Sequence, residues 1–363
     1  MGTAILKKLS EISTVEIQGV YNPKIDSAKR TLQEVGLSED LATDDYGAAL
    51  ARPGVEAVFI VSPNSDHANQ AIQALEMNKH LFCEKPCAID FADYVSLLGH
   101  AKARPHLTTY VDYILYFDSM EKRLREMVSR GDFGTLSQIQ VNYRHPVNIA
   151  GNKAWKLKKE VIGDAIGMGI IHALSVMYWI MEANGTKPVS VFAKKDKARV
   201  RPFEVETGWA ITVGFDNGAQ GFCFGNIDHA NGYDAFHHLH GTKGGFVFDS
   251  GLPHEMKVRY WSEYLTQGKW IYPLNEKNCQ EAGYQTLAWP HGTTTPDSGN
   301  VIHHQIDLAI HHFIDSINQG KISPLSLTHS ASLTDLGWAA LVSATTGEEV
   351  SLPLDYSKVL KII

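Results

Sequence analysis

A charged dipeptide, Glu84-Lys85, closes the short apolar run His80-Leu81-Phe82-Cys83 and is followed by Pro86. Burying such a pair at the end of an apolar strand is costly unless the pair has a task. Carboxylate and ammonium are also groups that move protons in general acid–base chemistry. Two further apolar runs end in polar residues. Ala57-Val58-Phe59-Ile60-Val61 leads into Ser62-Pro63-Asn64, with His67 one turn on, and the run 107–111 leads into Asp112-Tyr113. Ser62 and Asn64, each taken alone, are better explained as helix caps.

These residues need a scaffold that brings strand ends together, and the first hundred residues describe one. Residues 3–13 read as a helix with Ile5, Leu6, Leu9 and Ile12 on one face. A strand is predicted over 15–21, a helix over 26–36, a strand over 57–61, a helix over 67–78, a strand over 80–83, a helix over 90–103 and a strand over 107–111. Alternation at this spacing predicts a parallel, doubly wound α/β sheet, whose ligands bind at the carboxyl ends of the strands. Beyond residue 113 the texture changes. Helices are predicted over 118–131 and 163–183, then strands over 189–194, 208–216, 219–225, 236–240, 245–248 and 255–261, with the hairpin signal Asp216-Asn217-Gly218 between two of them. Helices over 300–318 and 328–346 close the chain. The expectation is a dinucleotide-binding domain over 1–112 and an α+β domain over 113–363, with a large, mostly antiparallel sheet.

Composition bounds the function. The 363 residues carry a net charge of −7 with both signs interspersed and no basic stripe, which argues against nucleic acid. No predicted apolar run reaches the ~20 residues of a membrane span, and the N-terminus lacks the order of a signal peptide. Cys83, Cys87, Cys223 and Cys279 fit neither a disulfide framework nor a zinc knuckle, so a reducing, cytoplasmic setting is expected. His237, His238 and His240 share a strand, and His303, His304, His311 and His312 a helix, yet no carboxylate or cysteine completes a metal set, so no metal is expected. The stretch from Arg144 to Lys159, with Lys153, Trp155, Lys156, Lys158 and Lys159, reads either as a substrate lid whose tryptophan stacks on a sugar face or as a solvated basic loop.

Phe82-Cys83-Glu84-Lys85-Pro86 resembles the Glu-Lys-Pro motif of the glucose–fructose oxidoreductase / inositol dehydrogenase / rhizopine-catabolism (Gfo/Idh/MocA) family. The likeness runs along nearly the whole chain: Tyr46, Gly54 to Val58, Ser62-Pro63-Asn64 with His67, then Trp155, Gly163, His172, Trp179, Asp216-Asn217-Gly218, His240 to Gly244 and Gly347 to Leu352. The resemblance implies an NAD- or NADP-dependent oxidoreductase that moves hydride between a sugar or polyol carbon and the nicotinamide. Lys85 would lie near the reacting hydroxyl, hydrogen-bonding its oxygen and helping relay its proton. Glu84 would orient Lys85 or touch the cofactor. Ser62, Pro63, Asn64 and His67 would line the dinucleotide, with Asp112 at the neighbouring strand end. His172 would match a helix-borne histidine that works on the same hydroxyl. A homodimer or homotetramer, formed through the open sheet of the second domain, is implied as well. Two other activities known among such relatives stay open: NAD-dependent glycoside cleavage, and ligand sensing without turnover.

Two departures stand out. A dinucleotide fold needs a first strand, then G-x-G-x-x-G, then a helix. Here Met1-Gly2 runs directly into the helix, so Gly2 fits the third glycine, and the first strand with two glycines is expected upstream of Met1. The acidic residue expected ~20 positions later falls on Asn22, which with Lys24 close by makes NADP as plausible as NAD. In the helix at 163–183 the family's Asp, four residues before His172, is Met168. Asp164, eight residues before His172 and ~12 Å along the axis, would then serve another substrate hydroxyl or cap the helix.

Overall fold

The computed structural model describes residues 1–229, 233–252, 257–271 and 306–363. The chain forms two compact units, Met1–Tyr113 with Gln305–Ala331, and Ile114–His304 with Ser332–Ile363.

The first unit opens with α1 (Gly2–Ser10), which buries Ile5, Leu6 and Leu9. It continues through β1 (Val20–Tyr21), α2 (Ile25–Glu34), β2 (Ala42–Thr43), α3 (Tyr46–Ala51), β3 (Ala57–Ile60), α4 (Asn64–Glu76), β4 (His80–Cys83), α5 (Phe91–Lys102) and β5 (Thr109–Val111). β1 pairs with β2, and β3, β4 and β5 form a second sheet, all parallel. Ala57, Val58 and Phe59 are half-buried and Ile60 is buried. The strand predicted over 15–21 shrinks to Val20–Tyr21, because a strand extends only where a neighbour takes up its hydrogen bonds.

An aromatic stripe crosses β3, β4 and β5. Phe59 stacks on Phe82 at 4.8 Å and Phe82 on Tyr110 at 4.5 Å. The helix Ile306–Gln319 covers it, setting Phe313 edge-on against Phe59 and Phe82. The chain that follows continues the sheet edge: Val111 N donates to Leu325 O, and Leu327 N donates to Thr109 Oγ1. Residues 305–331, grouped by the sequence with the second domain, therefore belong to the first unit. Periodicity assigns a helix, but only packing says which sheet it covers.

The second unit runs through α6 (Ser119–Ser129), β6 (Leu136–Arg144), α7 (Lys159–Ile162) and α8 (Ile171–Ala183). It continues with β7 (Pro188–Lys197), β8 (Glu206–Phe215), β9 (Gln220–Asn226), β10 (Tyr233–Gly241), β11 (Gly244–Leu252), β12 (Lys257–Ser262) and, after the helix Ala331–Thr346, β13 (Val350–Ser351). Eight strands make one sheet in the order β12-β11-β10-β6-β9-β8-β7-β13. Every pair is antiparallel except β6–β9. No strand is predicted over Leu136–Arg144, yet it lies fourth in that order. Its alternation is clean only from Ile139 on, with Ile139, Val141 and Tyr143 buried.

α8 packs closely because glycines face it. A Cβ on Gly225 would come within 2.5 Å of Ile170, and one on Gly221 within 2.4 Å of Met177. The predicted helix over 163–183 is interrupted: Ile166–Ile170 forms a π turn before α8 begins. The stretch Ile166–Ala183 does have the length and apolarity of a membrane span, which the sequence reading did not anticipate. It is 72% buried inside this unit, as a core helix is.

Candidate active site

In the first unit, the residues at the ends of β3, β4 and β5 meet at one sheet edge. The ladder continues past the strands: Glu84 N donates to Ile60 O at 3.0 Å and Asp112 N to Cys83 O at 2.9 Å. Glu84 follows Cys83 and Asp112 follows Val111, and those two are register partners, so the two carboxylates stand on adjacent strands. Asp112 is 2% exposed. Its Oδ1 and Glu84 Oε1 are buried with no hydrogen-bond partner among the described residues. Burial, then the charge of Glu84, pushes the Asp112 carboxyl well above the usual carboxylate range, while Lys85 and the Tyr110 hydroxyl pull it back. Burial also pushes the thiol of Cys83 far up and that of Cys87 to about 12, so neither is a thiolate nucleophile.

Pro63 caps α4 and Asn64 begins it, buried; the Ser62 hydroxyl donates to Gln70 Oε1 at 2.8 Å. His67 is 1% exposed. Its Nδ1 lies 2.7 Å from the carbonyl oxygen of Pro86 and its Nε2 2.9 Å from that of Ser62. The ring thus spans the loop after β3 and the loop after β4, each nitrogen facing a main-chain carbonyl oxygen, to one of which a neutral imidazole donates.

Gly2 opens α1, and a Cβ there would lie 3.3 Å from Val61 Cγ2, tighter than ordinary contact. This is the close helix–strand approach that the third glycine of a dinucleotide turn serves. Asn22 receives the Lys24 amide on its side-chain oxygen at 2.9 Å, and Lys24 stands exposed at the start of α2.

In the second unit, His172 lies in the first turn of α8, 6% exposed, with the Tyr143 ring 5.5 Å away. His145, just past the end of β6, also meets that ring, edge-on at 4.9 Å. A Cβ on Gly169 would come within 3.0 Å of Ile227 and 3.4 Å of His145 Nε2, so the imidazole lies beside the π turn. His145 escapes sequence reasoning because β6 itself does. Met168 is half-buried in the π turn. Asp164 accepts the Gly167 amide at 2.7 Å. Burial raises its pKa against the pull of the Gly167 and Ile166 amides. It caps the π turn.

The remaining histidines divide. His237 is buried, with Nε2 2.6 Å from Glu121 Oε1 on α6, while His238 lies against Phe236 on the other sheet face. His312 meets Ser323 Oγ at 2.9 Å in the first unit, and His303 and His304 lie outside the described residues. Trp155 sits in a short 3-10 turn, Gly151–Leu157, with Lys156 over its ring, and Lys158 pairs with Glu204 at 2.5 Å.

Residues 1–112 match the family model described as "Oxidoreductase family, NAD-binding Rossmann fold", and residues 122–247 match the GFO/IDH/MocA C-terminal domain. The chain belongs to the Gfo/Idh/MocA oxidoreductase family. Among curated members, it is 29% identical to the uncharacterized oxidoreductase YrbE of Bacillus subtilis over 316 residues, 83% of this chain and 86% of that one. It is 26% identical to an inositol 2-dehydrogenase of Salmonella typhimurium over 201 residues, 55% of this chain and 57% of that one. Levoglucosan dehydrogenase, solved with NADH and levoglucosan, shares the fold at a TM-score of 0.78 and 19% identity, over 98% of this chain and 97% of that one. A Gfo/Idh/MocA protein thus combines the parallel nucleotide-binding sheet with a large, mostly antiparallel second sheet, as described above.

Proposed function

We propose that this Gfo/Idh/MocA protein is an NAD- or NADP-dependent dehydrogenase of a sugar or polyol. The observation that carries this reading is the ionisable cluster Glu84, Lys85 and Asp112, held at the carboxyl ends of a parallel sheet where burial penalises charge. The residues fit a dinucleotide: a Cβ at Gly2 would press on Val61 at 3.3 Å, so glycine suits the start of α1, and the helix's positive end favours a pyrophosphate. Ser62, Pro63 and Asn64 would line it, with His67 bracing their loop. Asn22, lacking a carboxylate's charge, and Lys24 would admit a 2′-phosphate as readily as a free hydroxyl.

The bound nicotinamide would accept or donate the hydride at its C4. The chain's own work is the proton. Lys85 Nζ would hydrogen-bond the reacting oxygen and stabilise the charge that grows on it. His172, with Tyr143 beside its ring, would take up or return the hydroxyl proton. The open sheet face presents Phe192, Phe222, Phe224 and Phe236, all half-buried, and supports a homodimer or homotetramer. The likeness to inositol and levoglucosan dehydrogenases supports a polyhydroxylated substrate.

A second reading, a ligand sensor without turnover, draws on Met168, which offers His172 no carboxylate. Following cofactor absorbance with NAD and NADP over a panel of sugars and polyols, myo-inositol included, separates the two. Substrate-dependent reduction supports the dehydrogenase. Binding of cofactor and sugar without reduction supports the sensor. Release of free sugar from a glycoside without net reduction would identify NAD-dependent glycoside cleavage.

A further inference from the structure

Lys85 has two carboxylate neighbours, and only Glu84 adjoins it in sequence. The second comes from β5. Phe82 and Glu84 point to one face of the sheet, as do Tyr110 and Asp112, because side chains two apart on a strand share a face. Phe82 stacks on Tyr110, so the next step along each strand sets Glu84 beside Asp112, about one strand spacing (~4.8 Å) apart. Each has a carboxylate oxygen sealed from solvent and unpartnered among the described residues. Two like charges this close and this dry do not both persist.

We propose that Asp112 is a positioning residue for Lys85: one carboxyl of the Glu84–Asp112 pair carries a proton, leaving a single negative charge opposite the Lys85 ammonium. The inference rests on the reading of Lys85 as the group that handles the substrate proton. One negative charge holds the ammonium in place. A second would bind its proton more tightly and make it a poorer acid toward the substrate oxygen.

Two observations support the assignment of the proton to Asp112. Burial is the largest influence on its carboxyl and Glu84 the next, and both favour the protonated form. Among the described residues, the groups facing it are Cys83 from β4, Glu84 and Lys85 just after β4, and Tyr110 from β5. His312, on the helix Ile306–Gln319, lies behind Tyr110, their ring centres 6.2 Å apart, and burial lowers its pKa. Lys85 is the one cation among those acting directly on Asp112.

The test needs no turnover. Infrared spectra of the whole protein, taken across a pH series, report protonated buried carboxyls through their carbonyl stretch. Because Asp118 contributes its own band to both proteins, the wild-type minus Asp112→Asn difference spectrum at neutral pH should show such a band, and Glu84→Gln should move its loss to a different pH. Labelling of Lys85 by an amine-reactive acetylating reagent, read peptide by peptide with Lys79 as internal control, follows the lysine. At neutral pH, Asp112→Asn should leave Lys85 labelling as in the wild type, because asparagine carries the same charge as a protonated Asp112; were Asp112 ionised, removing its charge would speed labelling about tenfold for each unit by which the lysine's titration fell. Lys79, bonded to Val55 O, should be unchanged, which also shows that the unit stays folded. The absence of a difference band, or Lys85 labelling that speeds up at neutral pH in a folded variant, overturns the proposal. If Lys85→Ala abolishes polyol oxidation while both spectroscopic results fail, the dehydrogenase reading stands and this one falls. If both succeed and no substrate is oxidised, the reverse holds.

Discussion

The Nδ1 of His67 lies 2.7 Å from the carbonyl oxygen of Pro86, and through this contact a residue of α4 holds the loop that carries Lys85. The other ring nitrogen faces the Ser62 carbonyl oxygen at 2.9 Å, and a neutral imidazole donates to one of the two. Removing the ring takes away that donor, worth about 1–3 kcal/mol. His67→Leu is therefore expected to destabilise the protein by about 1–3 kcal/mol and to weaken cofactor binding, since a tie between the two loops is lost. Denaturant unfolding and cofactor titration check this. A loss under about 1 kcal/mol would show that the loops hold themselves.

Lys85→Ala should lower kcat on the best polyol by about 10²–10⁴ while leaving cofactor affinity nearly constant. Steady-state kinetics with separate cofactor titration reads both. Normal turnover would make Lys85 a structural residue.

Asp164 and His172 are expected to part ways. Asparagine caps about as well as aspartate, so Asp164→Asn should change turnover and stability little. His172→Ala should cut kcat by at least about 10². Equal losses in the two variants would bring Asp164 into the chemistry.

In the second unit, Asp118 caps α6 through the amides of Met120 and Glu121 and is 4% exposed. Burial, then the charge of Glu121, pushes its pKa to about 7, against the pull of those amides and His237. Unfolded, it titrates near pH ~3.9. Between these values the folded state holds a proton that the unfolded state has released, so stability falls as pH rises from ~4 to about 7 and then levels off. Asp118→Asn keeps the cap and removes the titration. Its stability relative to wild type should grow across that window, measured by denaturant unfolding at several pH values. Parallel pH curves for the two proteins would show that Asp118 is ionised throughout.

Much of this protein is written locally. Apolar runs closed by Ser62-Pro63-Asn64, Glu84-Lys85-Pro86 and Asp112 marked the strand ends. The helices of the first unit were legible from periodicity because each keeps one face in the core. The order of motifs carried the family, which the matches over 1–112 and 122–247 show. What the sequence left open depended on partners far away in the chain. β6 lacks clean alternation over its first residues, and what makes it a strand is β9 and β10 on either side. The π turn before α8 brings Gly169 beside Tyr143, His145 and Ile227, residues far from it in the chain. His67 became a brace, and Glu84 the neighbour of Asp112, only once register set β4 beside β5. Periodicity is a property of one segment, whereas a buried hydrogen bond or charge pair belongs to two, and only folding brings the second within reach.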